Sequence, residues 1–170
     1  MNRVGVAYSL TVIAPIVAGR EAQAREAIEA LPPDFLARLE NLHFSRIHVV
    51  SELVFQGPQQ RHRDRLRASQ LVFTSTFDGE PEPYVEALRP VADTWWQFCE
   101  GYPGSAGEGF ARWVREHQLD SALFASAHED ATVPGVLESL ALRSRVVDFA
   151  IEARGLAPAE LQRRFRETFA

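Results

Sequence analysis

Residues His43 to Val50, H-F-S-R-I-H-V-V, alternate at the two-residue period of a β-strand. His43, Ser45, Ile47 and Val49 share one face, and Phe44, Arg46, His48 and Val50 share the other. A half-buried strand normally sends its polar alternates into water. Here an arginine and a histidine stand beside a phenylalanine, a mixture suited to a semi-enclosed pocket. Any fold proposed for the chain must supply a sheet that carries this strand with one face against a core.

Three further alternating runs can supply it. The first spans about Tyr8 to Val17 and the third about Gln70 to Phe77, which ends at Asp78-Gly79. The fourth spans Ser121 to His128, with Leu123, Ala125 and Ala127 opposite Phe124, Ser126 and His128. Between them lie helical patterns. One opens at Glu21, carries Ala24, Ala27, Ile28 and Leu31 as its apolar stripe, and stops at Pro32-Pro33. A short helical turn is expected over Phe35 to Leu42. A long helix starts at Glu80-Pro81-Glu82-Pro83, where early prolines lose no needed hydrogen bond. It carries Tyr84, Leu88, Val91, Trp95 and Phe98, with Trp96 and Cys99 alongside, and stops at Gly101. A short helix follows over Phe110 to Gln118. Residues 132–154 form a third long helix with a core stripe of Val133, Leu137, Leu140, Val147 and Ile151, and residues 158–169 a terminal arginine-rich helix.

The order is therefore β-α-β-β-α-β with extra C-terminal helices. Right-handed crossovers applied twice give a four-stranded antiparallel sheet of order 4-1-3-2, a ferredoxin-like α+β domain. One face then gathers Leu10, Val12, Ile16, Ile47, Val49, Leu71, Phe73, Phe77, Leu123 and Ala125 beneath the helices. The other gathers Thr11, Ile13, Phe44, Arg46, His48, Thr74, Thr76, Phe124, Ser126 and His128. That second face is neither a core nor freely solvated. A second copy of the sheet across a two-fold axis would cover it and enclose a partly polar interior, as would helices 132–154 and 158–169.

Composition narrows the classes. A chain of 170 residues with 46% hydrophobic and 24% charged residues is of single-domain size. No repeat or linker divides it, so residues 1–170 read as one domain with a core over about 9–155. A net charge of −5 provides no field for nucleic acid or an anionic membrane. The single cysteine, Cys99, excludes an internal disulfide and a multi-cysteine metal site, which points to a reducing, cytoplasmic setting. Val4 to Ala18 loosely imitates a secretory signal, but Ser9, Thr11 and Pro15 interrupt it. It reads as the first strand and is too short to span a bilayer.

The strand-loop-helix pattern from about Ser9 to Gly155 resembles the dimeric α/β-barrel group of the ferredoxin-like folds. Within it, L-H-F-S-R, L-V-F-T-S-T-F-D-G and C-E-G-Y-P-G resemble segments of bacterial proteins labelled dye-decolourising-peroxidase-like. The resemblance implies a homodimer and, as an alternative activity, haem binding or peroxidase-like chemistry. The Gly-x-x-Asp-Gly motif of the true peroxidases is met only by Phe77-Asp78-Gly79, without its leading glycine. Their proximal histidine sits on a late helix, and residues 132–169 contain none.

The residues themselves suggest a site on the mixed face. Arg46 and His48 project from one side of a strand roughly 6.5–7 Å apart. Arg46 is placed to hold an anion or carbonyl oxygen, and His48 to move a proton near neutral pH. His128 is a second candidate proton carrier. Thr11, Thr74, Thr76 and Ser126 would orient a ligand, and Phe44 and Phe124 would contact its apolar body. The plainer reading pairs Arg46 with a dimer-mate carboxylate and leaves the histidines to backbone groups. No His/carboxylate spacing matches a metal signature. Tyr102 to Gly109 is glycine-rich without the residues of a phosphate loop, and is expected to be a flexible connection or lid. Arg61, His62, Arg63, Arg65 and Arg67 read as a solvated loop. The leading expectation is a cofactor-independent enzyme for a small hydrophobic carbonyl or phenolic metabolite. Its rivals are a haem protein and a non-catalytic dimeric interaction module.

Overall fold

The computed structural model describes every residue except Gln56, Arg63 and Ala170. The chain forms two compact units, Met1–Val133 and Pro134–Ala170. The first is α+β. Strands β1 (Asn2–Val4), β2 (Ala7–Pro15), β3 (Leu42–Val50) and β4 (Gln70–Asp78) make one antiparallel sheet in the order β1-β2-β4-β3. Helices α1 (Glu21–Glu29), α2 (Pro81–Ala87), α3 (Arg89–Trp96) and α4 (Phe110–Glu116) accompany it. The second unit holds α6 (Pro158–Phe169) and nearly all of α5 (Val133–Glu152).

The alternation argued from sequence sets the sheet's two faces. Leu10, Val12, Ala14, Leu71, Phe73 and Phe77 are fully or almost fully buried, and Ile47 and Val49 pack partly buried against them. Trp95 stacks on Phe73 at a centroid distance of 5.5 Å, and Trp96 meets the same ring edge-on at 5.4 Å. Tyr84, Leu88, Val91, Phe98 and Cys99 complete the helical side, as their spacing predicts. α1 contributes buried Ala24, with Ala27 and Ile28 partly covered.

Several expectations need correction. Residues 121–128 are not a strand, and Leu123, assigned to the core, is 83% exposed. The β2 edge is taken by β1, which pairs Val4 with Ala7 across the two-residue turn Gly5-Val6. Gly5 has φ +58°, the left-handed conformation such a hairpin turn needs. A hairpin that closes over two residues costs far less chain entropy than a strand arriving from more than a hundred residues away. Beyond β1, the edge receives Gln118, bridged to Val12, with hydrogen bonds from Ile13 N–H to His117 O and from Leu119 N–H to Thr11 O, both 2.9 Å, and further along Glu100 N–H bonds Pro15 O at 2.8 Å.

The long helix expected from Glu80 to Gly101 is two helices that meet at Leu88. Pro90 has no N–H to continue the ladder, so the chain restarts there. The turn expected at 35–42 is a run of i→i+3 hydrogen-bonded turns, such as Ala37 N–H to Asp34 O and Leu39 N–H to Leu36 O, and does not extend into a regular helix. The stripe Leu137, Leu140, Val147 and Ile151 is exposed, and α5 buries no residue. Periodicity identified an apolar face correctly without identifying what covers it.

Candidate functional site

The open face of the sheet is built in rows across β2, β4 and β3. Ser9 pairs with Thr76, which pairs with Phe44. Thr11 pairs with Thr74, which pairs with Arg46. Ile13 pairs with Val72, which pairs with His48. Opposed residues in neighbouring strands lie about 5 Å apart, so each row places its side chains on one surface. The middle row carries two hydroxyls and a guanidinium. Rows of hydroxyls and small aliphatics flank it, with Phe44 at one corner and His48 at the other.

Side-chain exposure separates this face sharply from its reverse. Phe44 is 76% exposed, Arg46 and His48 are exposed, and Thr11, Thr74 and Thr76 are half-buried. Arg46 makes no hydrogen bond or ion pair among the described residues. A shallow depression of about 270 Å³ lies here, lined by Ser9, Phe44, Ser45, Arg46, Thr74, Ser75 and Thr76. Arg46, His48, Thr11, Phe44, Thr74 and Thr76 thus share one surface as the alternation required. His128, Phe124 and Ser126 do not. They belong to the irregular segment after the β2 edge, which is tied back by Ser121 N–H to Asn2 Oδ1 (2.7 Å) and Val6 N–H to Glu129 O (2.9 Å). Their expected place on the sheet vanished with the fourth strand.

A β-bulge between Leu42 and Phe44 re-aims the start of β3. Leu42 packs towards the core and His43, which is 18% exposed, also turns from the open face. His43 Nε2 lies 3.3 Å from Asp78 Oδ1, near enough for attraction but without the alignment of a hydrogen bond. The same carboxylate oxygen accepts the Val133 N–H at 3.3 Å. The period-two count already sets His43 with Ser45, Ile47 and Val49 on the covered side; only its partner, at the end of another strand, escaped sequence reasoning. The Asp78-Gly79 turn was its available signal. Among the described residues no hydroxyl or thiol bonds His43, so the pair ties the start of β3 to the end of β4, and Asp78 in turn holds Val133 at the start of α5.

Other polar groups on the covered face are equally remote from chemistry. Ser45 Oγ, Ser75 Oγ and Tyr84 Oη are buried without a well-formed hydrogen bond among the described residues. Burial pushes the Tyr84 hydroxyl up to about 12, and neighbouring Ser75 pulls weakly the other way. Burial likewise pushes the Cys99 thiol up to about 12, so it is a protonated core group rather than a nucleophile.

No family model matches the chain. Comparison with curated proteins and with solved structures likewise gives no match. The site must therefore be judged on its own geometry.

The glycine-rich segment, expected as a flexible connection or lid, is tied to α3 by side-chain hydrogen bonds. Asp93 accepts hydrogen bonds from Tyr102 Oη (2.8 Å), Ser105 N–H (2.8 Å) and Ser105 Oγ (2.6 Å). Those bonds hold the Asp93 carboxyl below the usual range, the Ser105 hydroxyl contributing most. Arg89 donates to Gly107 O at 3.1 Å and pairs with Glu86. A larger depression of about 360 Å³ lies beside α2 and α4, lined by Met1, Pro81, Glu82, Val85, Glu86, Ala111, Arg115 and Gln118. It holds no histidine, and Glu86 is already paired with Arg89, so the sheet face is the better candidate. Arg63, within the arginine loop, lies outside the described residues. No group of three or more His, Cys, Asp or Glu side chains converges, and no helix is long and apolar enough to cross a membrane, among the described residues.

Proposed function

We propose that the open sheet face binds a small, largely hydrophobic metabolite bearing a carbonyl or phenolic oxygen. The sheet is taken as ferredoxin-like, with its open face left free for the ligand. Arg46 holds the ligand oxygen and stabilises the negative charge that develops on it as a proton leaves the adjacent carbon or hydroxyl. His48, one pleat along the same strand face, takes or returns that proton. Thr11 and Thr74 fix the polar end, and Phe44 lies along the apolar body. The reaction class is cofactor-independent proton transfer, or oxygenation of the resulting anion by dioxygen.

One observation carries the reading: an arginine without an ion pair among the described residues stands in line with two threonines, beside a phenylalanine that is three-quarters exposed. A solvated sheet face has no need of that set. The test is calorimetric titration of the full chain with a panel of phenols and β-dicarbonyl compounds. At least one should bind, with Arg46→Ala lowering affinity at least ten-fold and His48→Ala lowering turnover more than binding. Equal binding by wild type and Arg46→Ala defeats the proposal. A Soret band on haem titration that disappears in His48→Ala replaces it with the haem reading. The exposed apolar stripe of α5 favours a second reading, a dimeric interaction module.

A further inference from the structure

In the second unit, α6 covers only one side of α5. Phe149 meets Phe165 and Phe169 at centroid distances of 5.8 and 5.4 Å, Arg145 lies over the Phe169 ring, and Arg164 approaches Glu152 at 3.8 Å. Arg145, Phe149 and Glu152 share one helical face by their spacing of four and three residues. About a third of a turn around the helix runs another stripe: Val133, Leu137, Leu140, Ser144, Val147 and Ile151. Its steps of four and three residues repeat without a slip. That is the a/d pattern of a helix-pairing seam, nearly three heptads long. Leu137 is 60% exposed, Leu140 53% and Ile151 56%.

We propose that this seam pairs, in parallel, with the same seam of a second copy of the chain. Three features select that occupant. The repeat at 3.5 residues fits another helix rather than a sheet or a ligand. Leu137, Leu140, Val147, Ile151 and neighbouring Val136 are each 41% to 60% exposed. With their flanks, two facing seams would bury on the order of 1,200 Å², the threshold of a stable interface. The third feature is charge. Taking Leu137, Ser144 and Ile151 as a positions places Arg143 at g and Asp148 at the following e. In a parallel pair, g meets e of the partner five residues on, so Arg143 faces the second copy's Asp148 on both sides of the seam. An antiparallel pair sets g against g and e against e, leaving both charges without a counterpart. Neither residue has an ion pair among the described residues. Ser144, the polar residue at the central a position, would fix the register. This surface is separate from the ligand face and does not depend on it.

Sedimentation velocity on the full chain at tens of micromolar should give a species of twice the 19.1 kDa chain mass. Leu140→Glu should convert it to monomer without changing the far-ultraviolet circular dichroism. If that variant loses helicity, the exposed charge pair carries the test. Arg143→Glu and Asp148→Arg should each weaken association about five-fold, and the double variant should restore it. Ser144→Cys should cross-link the two copies under mild oxidation, because only parallel pairing sets position 144 against itself. A monomeric wild type, a dimer indifferent to both Leu140→Glu and the charge variants, or a Ser144→Cys variant that stays uncross-linked overturns the proposal. So does a dimer that survives Leu140→Glu but dissociates in Phe44→Asp, which would assign association to the sheet face.

Discussion

The two faces of one sheet behave as different materials. Phe73 and Thr74 are neighbours on β4, yet Phe73 is sealed against Trp95 and Trp96 while Thr74 lies between Thr11 and Arg46 on a half-open surface. On the covered face a hydroxyl is a liability, because it loses water and gains no partner. On the open face a hydroxyl costs nothing to keep and can orient a ligand. The covered face therefore determines stability, and the open face is free to carry function.

Substitutions can break that division. The largest effect belongs to Trp96→Ala, which leaves a cavity under five aromatic neighbours, Phe73, Trp95, Tyr102, Phe110 and Trp113. It should cost about 3–5 kcal/mol, read as a fall in the urea midpoint. Next is Gly5→Ala. A Cβ there would stand 2.1 Å from Glu129 O, and φ of +58° adds strain, so a loss of about 1–3 kcal/mol is expected in the same unfolding experiment. Ser45→Ala should move the other way. It removes a buried hydroxyl without a partner among the described residues, raising stability by up to about 1 kcal/mol.

Acid should act through Asp93. Its folded carboxyl is held below the ordinary range, so the unfolded chain binds that proton more readily. The resulting stability is present above the ordinary aspartate pKa, about 3.9. It is lost as pH falls from there through the lowered folded value. Asp93→Asn should flatten that stretch of the stability–pH curve, measured by urea titrations at several pH values. The smallest effect is that of Arg46→Ala on folding, within about 0.5 kcal/mol, because Arg46 is exposed and bonded to nothing among the described residues. A large loss of stability in this variant would mean that the open face is structural after all.

Much of this division is legible in the sequence. The buried alternates of β2 and β4, the aromatic stripe of α2 and α3, and the outward direction of Arg46 all follow from local periodicity. What failed was decided at a distance. Residues 121–128 alternate, but with alanine and serine they bury little, and the Gly5 hairpin reaches the β2 edge first. Leu42 defied parity because a bulge inserts a residue that no count reveals. Leu137 and Leu140 were correctly placed on one helical face and wrongly placed in a core.

By itself, the order of residues determined which side chains share a face, since side-chain direction is set within each residue's own dihedral angles and repeats at 2 or 3.6 residues. Only the tertiary structure decided which edge β2 offers to β1, which hydroxyls are sealed from water and which apolar stripe stays exposed. Those outcomes depend on competition between segments far apart in the chain, where loop-closure entropy and buried area select the winner.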